Sequence, residues 1–411
     1  MMTTQIPLLK MLVRRLIADA LAASPMTISE LGTHINMPEQ NIVAAITELQ
    51  GEGWIAVDER SLSDRKFRLA ADAVYVLGVD VGGTKIAAAL ADATGQIVAE
   101  LSEPTDPRGS THVFDQICRL AQQMTHSATC RRGRIRSVVA GFPGAIDPQT
   151  HRITLVPNIR GLDGLDVQEE LSNRFSGAIA HENDVNLAAL GELATGCAQG
   201  CTNVAFVALG TGTGLGLVVD GRLVRGASGG AGEIAYLPIG ADITSPEALH
   251  VGAFEHDAGS VAMLKRYRAK GDASVSSVRE IFDRLNGGDP AAGEVLNATA
   301  CSVALAITTL QAVLDLDLFV LGGSIGARPE LIERVRLQIG NVLARPVRIV
   351  GSALGTRAGL IGAVSTATEN LRCHAFGPPV QQMLASTKNN IVGDWYETQH
   401  RSAPQPIFAL K

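Results

Sequence analysis

Two segments of this chain repeat one design: an apolar strand, a tight glycine–threonine turn and a second apolar strand. VYVLGVDVGGTKIAAAL spans 74–90 and VAFVALGTGTGLGLVV spans 204–219. Glycine lets a backbone approach an anion closely, and a turn between strands leaves amides free to cradle it. In the first turn Gly82 and Gly83 supply the close approach, Thr84 and Lys85 add donors, and Asp80 at the strand end suits a magnesium water shell. The second turn, Gly210-Thr211-Gly212-Thr213-Gly214, lacks the GxGxxG dinucleotide spacing, and no GxxxxGKS/T loop occurs. Either turn alone also reads as a plain glycine hairpin. Together they predict a duplicated domain that grips the phosphates of one nucleotide from both sides. A third turn, FVLGGSIG at 319–326, sets Gly322 and Gly323 between a strand and a helix, where they would support the nucleoside.

Around these turns, periodicity predicts strands at 75–80, 86–91, 137–141, 204–209, 215–219 and 318–321. Helices are expected at 110–125, 184–195, 258–269, 295–314 and 328–343. That alternation is an α/β fold. The stretch between Glu294 and Asp315 is free of charge, but its Asn297, Thr299, Ser302, Thr308, Thr309 and Gln311 indicate a buried core helix and no membrane span. Six cysteines without a CxxC pair, and an N-terminus without a signal-type apolar run, point to a cytoplasmic protein. CRRGRIR at 130–136 reads as a solvated loop.

The first 70 residues differ in texture. Leu9, Leu12, Val13, Leu16, Ile17 and Ala20 recur at helical spacing, and Thr27 with Glu30 forms a capping box for a second short helix. Asn36-Met37-Pro38 makes a turn, and Ile42, Ile46 and Leu49 give the third helix its buried stripe. Trp54–Val57 and Lys66–Leu69 flank a polar tip, as in a two-stranded wing. Three helices and a hairpin predict a winged helix-turn-helix, whose third helix would present Gln40, Asn41, Ala44 and Thr47 to the DNA major groove. The alternative is a three-helix protein-interaction module, since residues 1–70 hold seven Lys/Arg against eight Asp/Glu. Phosphate affinity would then rest on Arg14, Arg15 and the wing cations Arg60, Arg65, Lys66 and Arg68. The chain as a whole carries a formal charge of −6, which excludes a general nucleic-acid coat.

From 74 to about 370 the chain resembles the ROK family of sugar kinases and sugar-responsive repressors, which have the actin-like ATPase fold. The resemblance runs through DVGGTK, GFPGAID (141–147), PNIRG (157–161), ENDVN (182–186), GTGTGLG, GGAGE (229–233) and LGGS (321–324). It implies domains at 1–72 (winged helix), 73–196 and 197–372 (two actin-like lobes) and 373–411 (a weakly structured tail). It also implies a cleft holding ATP and Mg2+ over the glycine turns, with a hexose deeper in. Asp184 matches the family's general base, and Asn158, Asn183, Glu233 and Glu255 match sugar-hydroxyl ligands. Standing alone, ENDVN would read as a helix start capped by its acidic residue.

One stretch departs from the family pattern. Where relatives carry a His and three Cys around a structural zinc, this chain has Tyr236, Pro246, Ala248 and Ala253, so zinc is expected to be absent. Tyr236 then lines the sugar side with one hydroxyl, and packing through Leu237, Ile239 and Phe254 must hold the loop. His250 and His256 read as loop residues. The expectation is a repressor of carbohydrate genes, a homodimer or homotetramer that releases a palindromic operator when a sugar enters the cleft. The alternatives are an ATP-dependent sugar kinase using Asp184, or a protein doing both.

Overall fold

The computed structural model describes residues 5–60, 64–71, 74–126, 134–156, 158–240, 242–270 and 272–380. At the N-terminus lie α1 (Gln5–Ala23), α2 (Ile28–Ile35) and α3 (Glu39–Gly51), followed by the antiparallel pair β1 (Ile55–Val57) and β2 (Phe67–Leu69). Thr27 accepts from the Glu30 amide while the Glu30 carboxylate receives the Thr27 amide, so the capping box forms as the spacing requires. Asn36 ends α2 in the left-handed region, a conformation asparagine tolerates better than most residues. Ile42, Ala45, Ile46 and Leu49 turn inward from α3.

A five-stranded sheet follows, made of β3 (Val74–Val81), β4 (Lys85–Asp92), β5 (Ile97–Pro104), β6 (Arg134–Phe142) and β9 (Ala178–Asn183). Between these strands come α4 (His112–Thr125), the small hairpin β7 (Ala145–Ile146) and β8 (Ile153–Thr154), and α5 (Val167–Ser172). Then α6 (Asp184–Thr195) leads to a second five-stranded sheet: β10 (Val204–Leu209), β11 (Thr213–Val219), β12 (Arg222–Leu223), β13 (Leu318–Gly322) and β14 (Ile349–Gly351). The strand orders are β5-β4-β3-β6-β9 and β12-β11-β10-β13-β14. Each sheet is thus an antiparallel three-strand meander extended by two parallel strands, and the duplication expected from the two hairpins is realised as topology.

Helices α7 (Pro246–Val251), α8 (Ala253–Ala258), α9 (Ser260–Arg268), α10 (Val278–Asn286), α11 (Pro290–Leu314), α12 (Gly323–Gly326) and α13 (Pro329–Val342) build out the second lobe. Helix α11 is long and apolar enough to cross a membrane by composition, but 56% of its apolar window is buried, and Val295, Leu296, Val303 and Ile307 belong to the lobe's core. The final helix α14 (Ala358–Phe376) returns to the first sheet and packs on β3, β6 and α6. It continues past the point where the sequence signal fades; the polar tail at 381–411 lies outside the described residues, as do 130–133 of the basic cluster, whose remaining residues 134–136 begin β6 and are not a loop.

The N-terminal elements share one buried cluster with this helix. Val13, Ile17, Leu21, Ile42, Leu49 and Phe67 pack in the same core as Val76, Leu360, Leu371 and Phe376. Trp54 meets Phe376 edge to face, with ring centroids 5.2 Å apart.

Candidate functional site

The first glycine turn is closed by the Gly82 amide donating to the Lys85 carbonyl at 2.9 Å. Thr105 Oγ1 donates to the Gly82 carbonyl at 2.6 Å and steadies it from β5. Gly83 lies so close to Asn158 that a Cβ would sit 2.8 Å from the Asn158 Cβ, so the turn and the PNIRG segment meet. Asp80, at the end of β3, faces the start of α14: a Cβ on Gly359 would come within 3.1–3.3 Å of its carboxylate. Burial pushes the Asp80 carboxyl up to about 6, against the opposing pull of Lys85.

Asp184 is the first residue of α6, and its Oδ1 accepts from the Val185 amide at 2.8 Å. Burial raises it to about 7, with the Asp80 carboxylate and then Glu233 adding repulsion. Asp80, Asp184 and Glu233 therefore share one electrostatic neighbourhood, drawn from three separate sequence motifs. A carboxylate with this affinity for a proton is suited to removing one from a hydroxyl near neutral pH.

Asn183 is brought to the same floor, but as the N-cap of α6. Its Oδ1 accepts from the Val185 and Asn186 amides at 2.9 and 3.0 Å, and its Nδ2 donates to the Gly144 carbonyl at 3.0 Å. The cap that ENDVN alone suggested therefore belongs to Asn183. Glu182, not singled out in the sequence, is 8% exposed; it accepts from Asn186 Nδ2 at 2.9 Å and from Arg225 Nε at 2.6 Å.

On the opposite side, the Gly210 amide closes the second turn on the Gly212 carbonyl at 3.0 Å. Glu255 Oε2 accepts from both the amide and the hydroxyl of Thr213, at 2.7 and 3.2 Å. The expected sugar ligand thus braces the turn expected to hold phosphate. Gly323 has φ +79°, and a Cβ there would lie 2.3 Å from the Leu209 carbonyl, so the third turn requires glycine. Gly322 packs equally tightly on the Phe206 ring. Gly210, Thr211, Ser324 and Ile325 from these turns line a cavity of about 350 Å³ whose far wall includes Leu264, Val278, Phe282 and Arg328. The Arg328 guanidinium lies over the Phe282 ring, 4.5 Å from its centroid. Those wall residues sit on α9, α10 and the approach to α13, where helical periodicity conceals them.

Glu233 opens a one-turn helix at Ile234–Tyr236, and burial, with repulsion from Glu255, raises its pKa. Tyr236 is 50% exposed. Ala248 and Ala253 are buried, and Phe254 is fully buried with Leu237 and Ile239 against its cluster, so apolar packing holds this loop. His250 and His256 lie in α7 and α8 and not in a loop, because Ser245 caps α7 and Pro246 starts it. Among the described residues, no three His, Cys, Asp or Glu side chains gather in a group that could hold a metal ion.

In the N-terminal module Gln40, Asn41, Ala44 and Thr47 are all exposed on α3. Arg65 is exposed, whereas Lys66 pairs with Glu30 at 3.2 Å. Arg14 and Arg15, expected to serve phosphates, are engaged elsewhere. Arg14 forks onto Glu52 at 2.7 and 2.5 Å. Arg15, only 4% exposed, binds Asp19 and Glu369, each at 2.8 Å. These half-exposed carboxylates satisfy guanidinium groups that are themselves mostly buried, so neither arginine stands free at the surface.

Comparison with known proteins agrees with this architecture. The ROK family model matches residues 76–370. A Streptomyces griseus ROK glucokinase, solved with glucose and AMPPNP, superposes with a TM-score of 0.60 at 24% identity, over 71% of this chain and 99% of that one. A ROK family transcriptional regulator, described as a homologue of the E. coli MLC protein, superposes with a TM-score of 0.75 at 18% identity, over 90% of this chain and 98% of its own. The xylose repressor of Bacillus spizizenii is 24% identical over 375 residues, covering 86% of this chain and 94% of the repressor. With a family match over most of its length and two five-stranded sheets of equivalent strand order, this chain belongs to the ROK family.

Proposed function

We propose that this protein is a sugar-responsive transcriptional regulator whose N-terminal module is a winged helix-turn-helix. The observation that carries this reading is the asymmetry of α3. Ile42, Ala45, Ile46 and Leu49 are buried, whereas Gln40, Asn41, Ala44 and Thr47 stand exposed with no cation among them. Amides and a hydroxyl of that kind can read adenine edges, and a small apolar side chain fits a thymine methyl. Similarity to a repressor over 86% of this chain, and to a regulator over 90% of it, supports the same reading. Sugar bound near Asp184, Glu233 and Asn158 would favour one arrangement of the lobes, and DNA another. Two copies would bridge a palindromic operator.

A second reading, sugar phosphorylation, is favoured by the raised pKa values of Asp184 and Asp80 beside an intact Gly82–Lys85 turn. A nucleotide with Mg2+ would be held by that turn, the Gly210–Thr213 turn and Asp80, with the metal supplying charge stabilisation to a transferred phosphoryl group. Asp184 would take the proton of the attacking hydroxyl. The test is direct: ATP consumption with a panel of hexoses and pentoses, run beside retention of duplex DNA enriched from a random library. DNA retention that a sugar relieves supports the regulator, while turnover of about 1–100 per second without DNA retention supports the kinase.

A further inference from the structure

Helix α14 packs closely on two of the carboxylate-bearing elements of the cleft, β3 with Asp80 and α6 with Asp184. Its N-terminal turn faces Asp80 through Gly359. A Cβ on Gly362 would lie 1.8 Å from the Leu187 carbonyl of α6, and one on Gly191 of α6 would lie 2.4 Å from the Ala358 carbonyl. A Cβ on Gly78 of β3 would lie 2.6 Å from the Val364 amide. Backbones pressed together without intervening side chains cannot slide by rotamer changes, so α14 must follow α6 and β3 as a body.

The helix then runs 19 residues, about 28 Å at 1.5 Å per residue. Its far end is fastened to the N-terminal module. Arg15 donates to Glu369 at 2.8 Å and to the Gly377 carbonyl at 3.0 Å, Arg14 reaches the Ala375 carbonyl at 3.4 Å, and Trp54 abuts Phe376.

We propose that α14 is the strut that conveys occupancy of the cleft to the N-terminal module, with the Arg15–Glu369 pair as its joint. This rests on the regulator reading for its purpose, but the mechanical coupling can be tested without sugar or DNA. Trp54 reports the far end, and replacing Trp395 with Phe makes it the sole tryptophan. Gly362→Ala, or the milder Gly359→Ala should the first not fold, displaces the near end. Gly340→Ala, at an exposed position of α13 with open space around it, is the control.

The expected result is a shift of several nanometres in Trp54 emission for the α14 variants and none for the control. Adding Glu369→Gln to an α14 variant should reduce the shift by more than half. Unchanged Trp54 emission in a variant whose melting temperature has moved would overturn the strut, as would a shift that Glu369→Gln leaves intact. A parallel titration of enriched duplex DNA with D-glucose and D-xylose tests the regulator reading separately. Native protein indifferent to both sugars would count against that reading, while the emission data still decide the strut.

Discussion

Arg225 Nε donates to Glu182 Oε2 at 2.6 Å, and that bond joins the strand leading into Asp184 to the loop leading into Glu233. The other Glu182 oxygen holds the Asn183 amide and Asn186 Nδ2. Glu182→Ala should therefore cost about 2–3 kcal/mol, since it strands two buried donors, whereas Arg225→Ala on the more exposed partner should cost about 1 kcal/mol. Urea unfolding of both variants checks the order. Equal costs would show that the bonds to Asn183 and Asn186 contribute little.

A carboxyl whose folded pKa exceeds its unfolded value of about 4 stabilises the fold while protonated, and that stabilisation is lost as pH rises through the folded value. For Asp184 the window runs from about 4 to about 7. Asp184→Asn should therefore raise Tm by about 2–4 °C at pH 8 and leave it unchanged at pH 4. Any phosphoryl transfer to a sugar should fall at least about 100-fold. Melting curves at the two pH values check the first outcome, and an equal gain at both would contradict it.

The face of α3 can be separated from the stability of its module. Asn41→Ala should weaken binding to enriched DNA by about 1–3 kcal/mol with Tm unchanged, because its side chain is exposed. Arg65→Ala should weaken binding to all duplexes alike and reduce the salt dependence by about one unit of slope. Anisotropy titrations at several salt concentrations distinguish these two effects.

Deleting residues 1–70 tests the shared core. As a self-contained module, that segment would leave a stable two-lobed remainder. Its loss, however, uncovers Leu371 and Phe376, now buried against Val13, Ile17 and Leu21. The truncated chain should melt earlier than native protein and aggregate on heating, as light scattering would show. An unchanged Tm would contradict the shared core.

Much of this was legible in the chain. The three glycine turns, the Thr27–Glu30 box and the inward stripe of α3 are local devices, and local chemistry fixes them. Asp80, Asp184 and Glu233 could be named from motifs, but the repulsion that Asp80 and Glu233 exert on Asp184 depends on tertiary packing that brings three distant segments together. Arg14 and Arg15 read as surface cations because their partners Glu52 and Glu369 are distant in sequence. The wall formed by Leu264, Phe282 and Arg328 was hidden for the same reason: ordinary helix residues gain meaning only where the helices converge. Helix α14 is rich in small residues and gives little amphipathic signal, because it is packed on several sides.

Control of DNA binding by a sugar in the cleft is tested most directly by fluorescence anisotropy. Native protein would be titrated into duplex enriched from a random library, with and without saturating D-glucose or D-xylose. A sugar-dependent loss of DNA affinity of about tenfold or more is expected, within the usual range of allosteric coupling. Identical binding curves with and without either sugar, or failure to enrich any duplex, would contradict it.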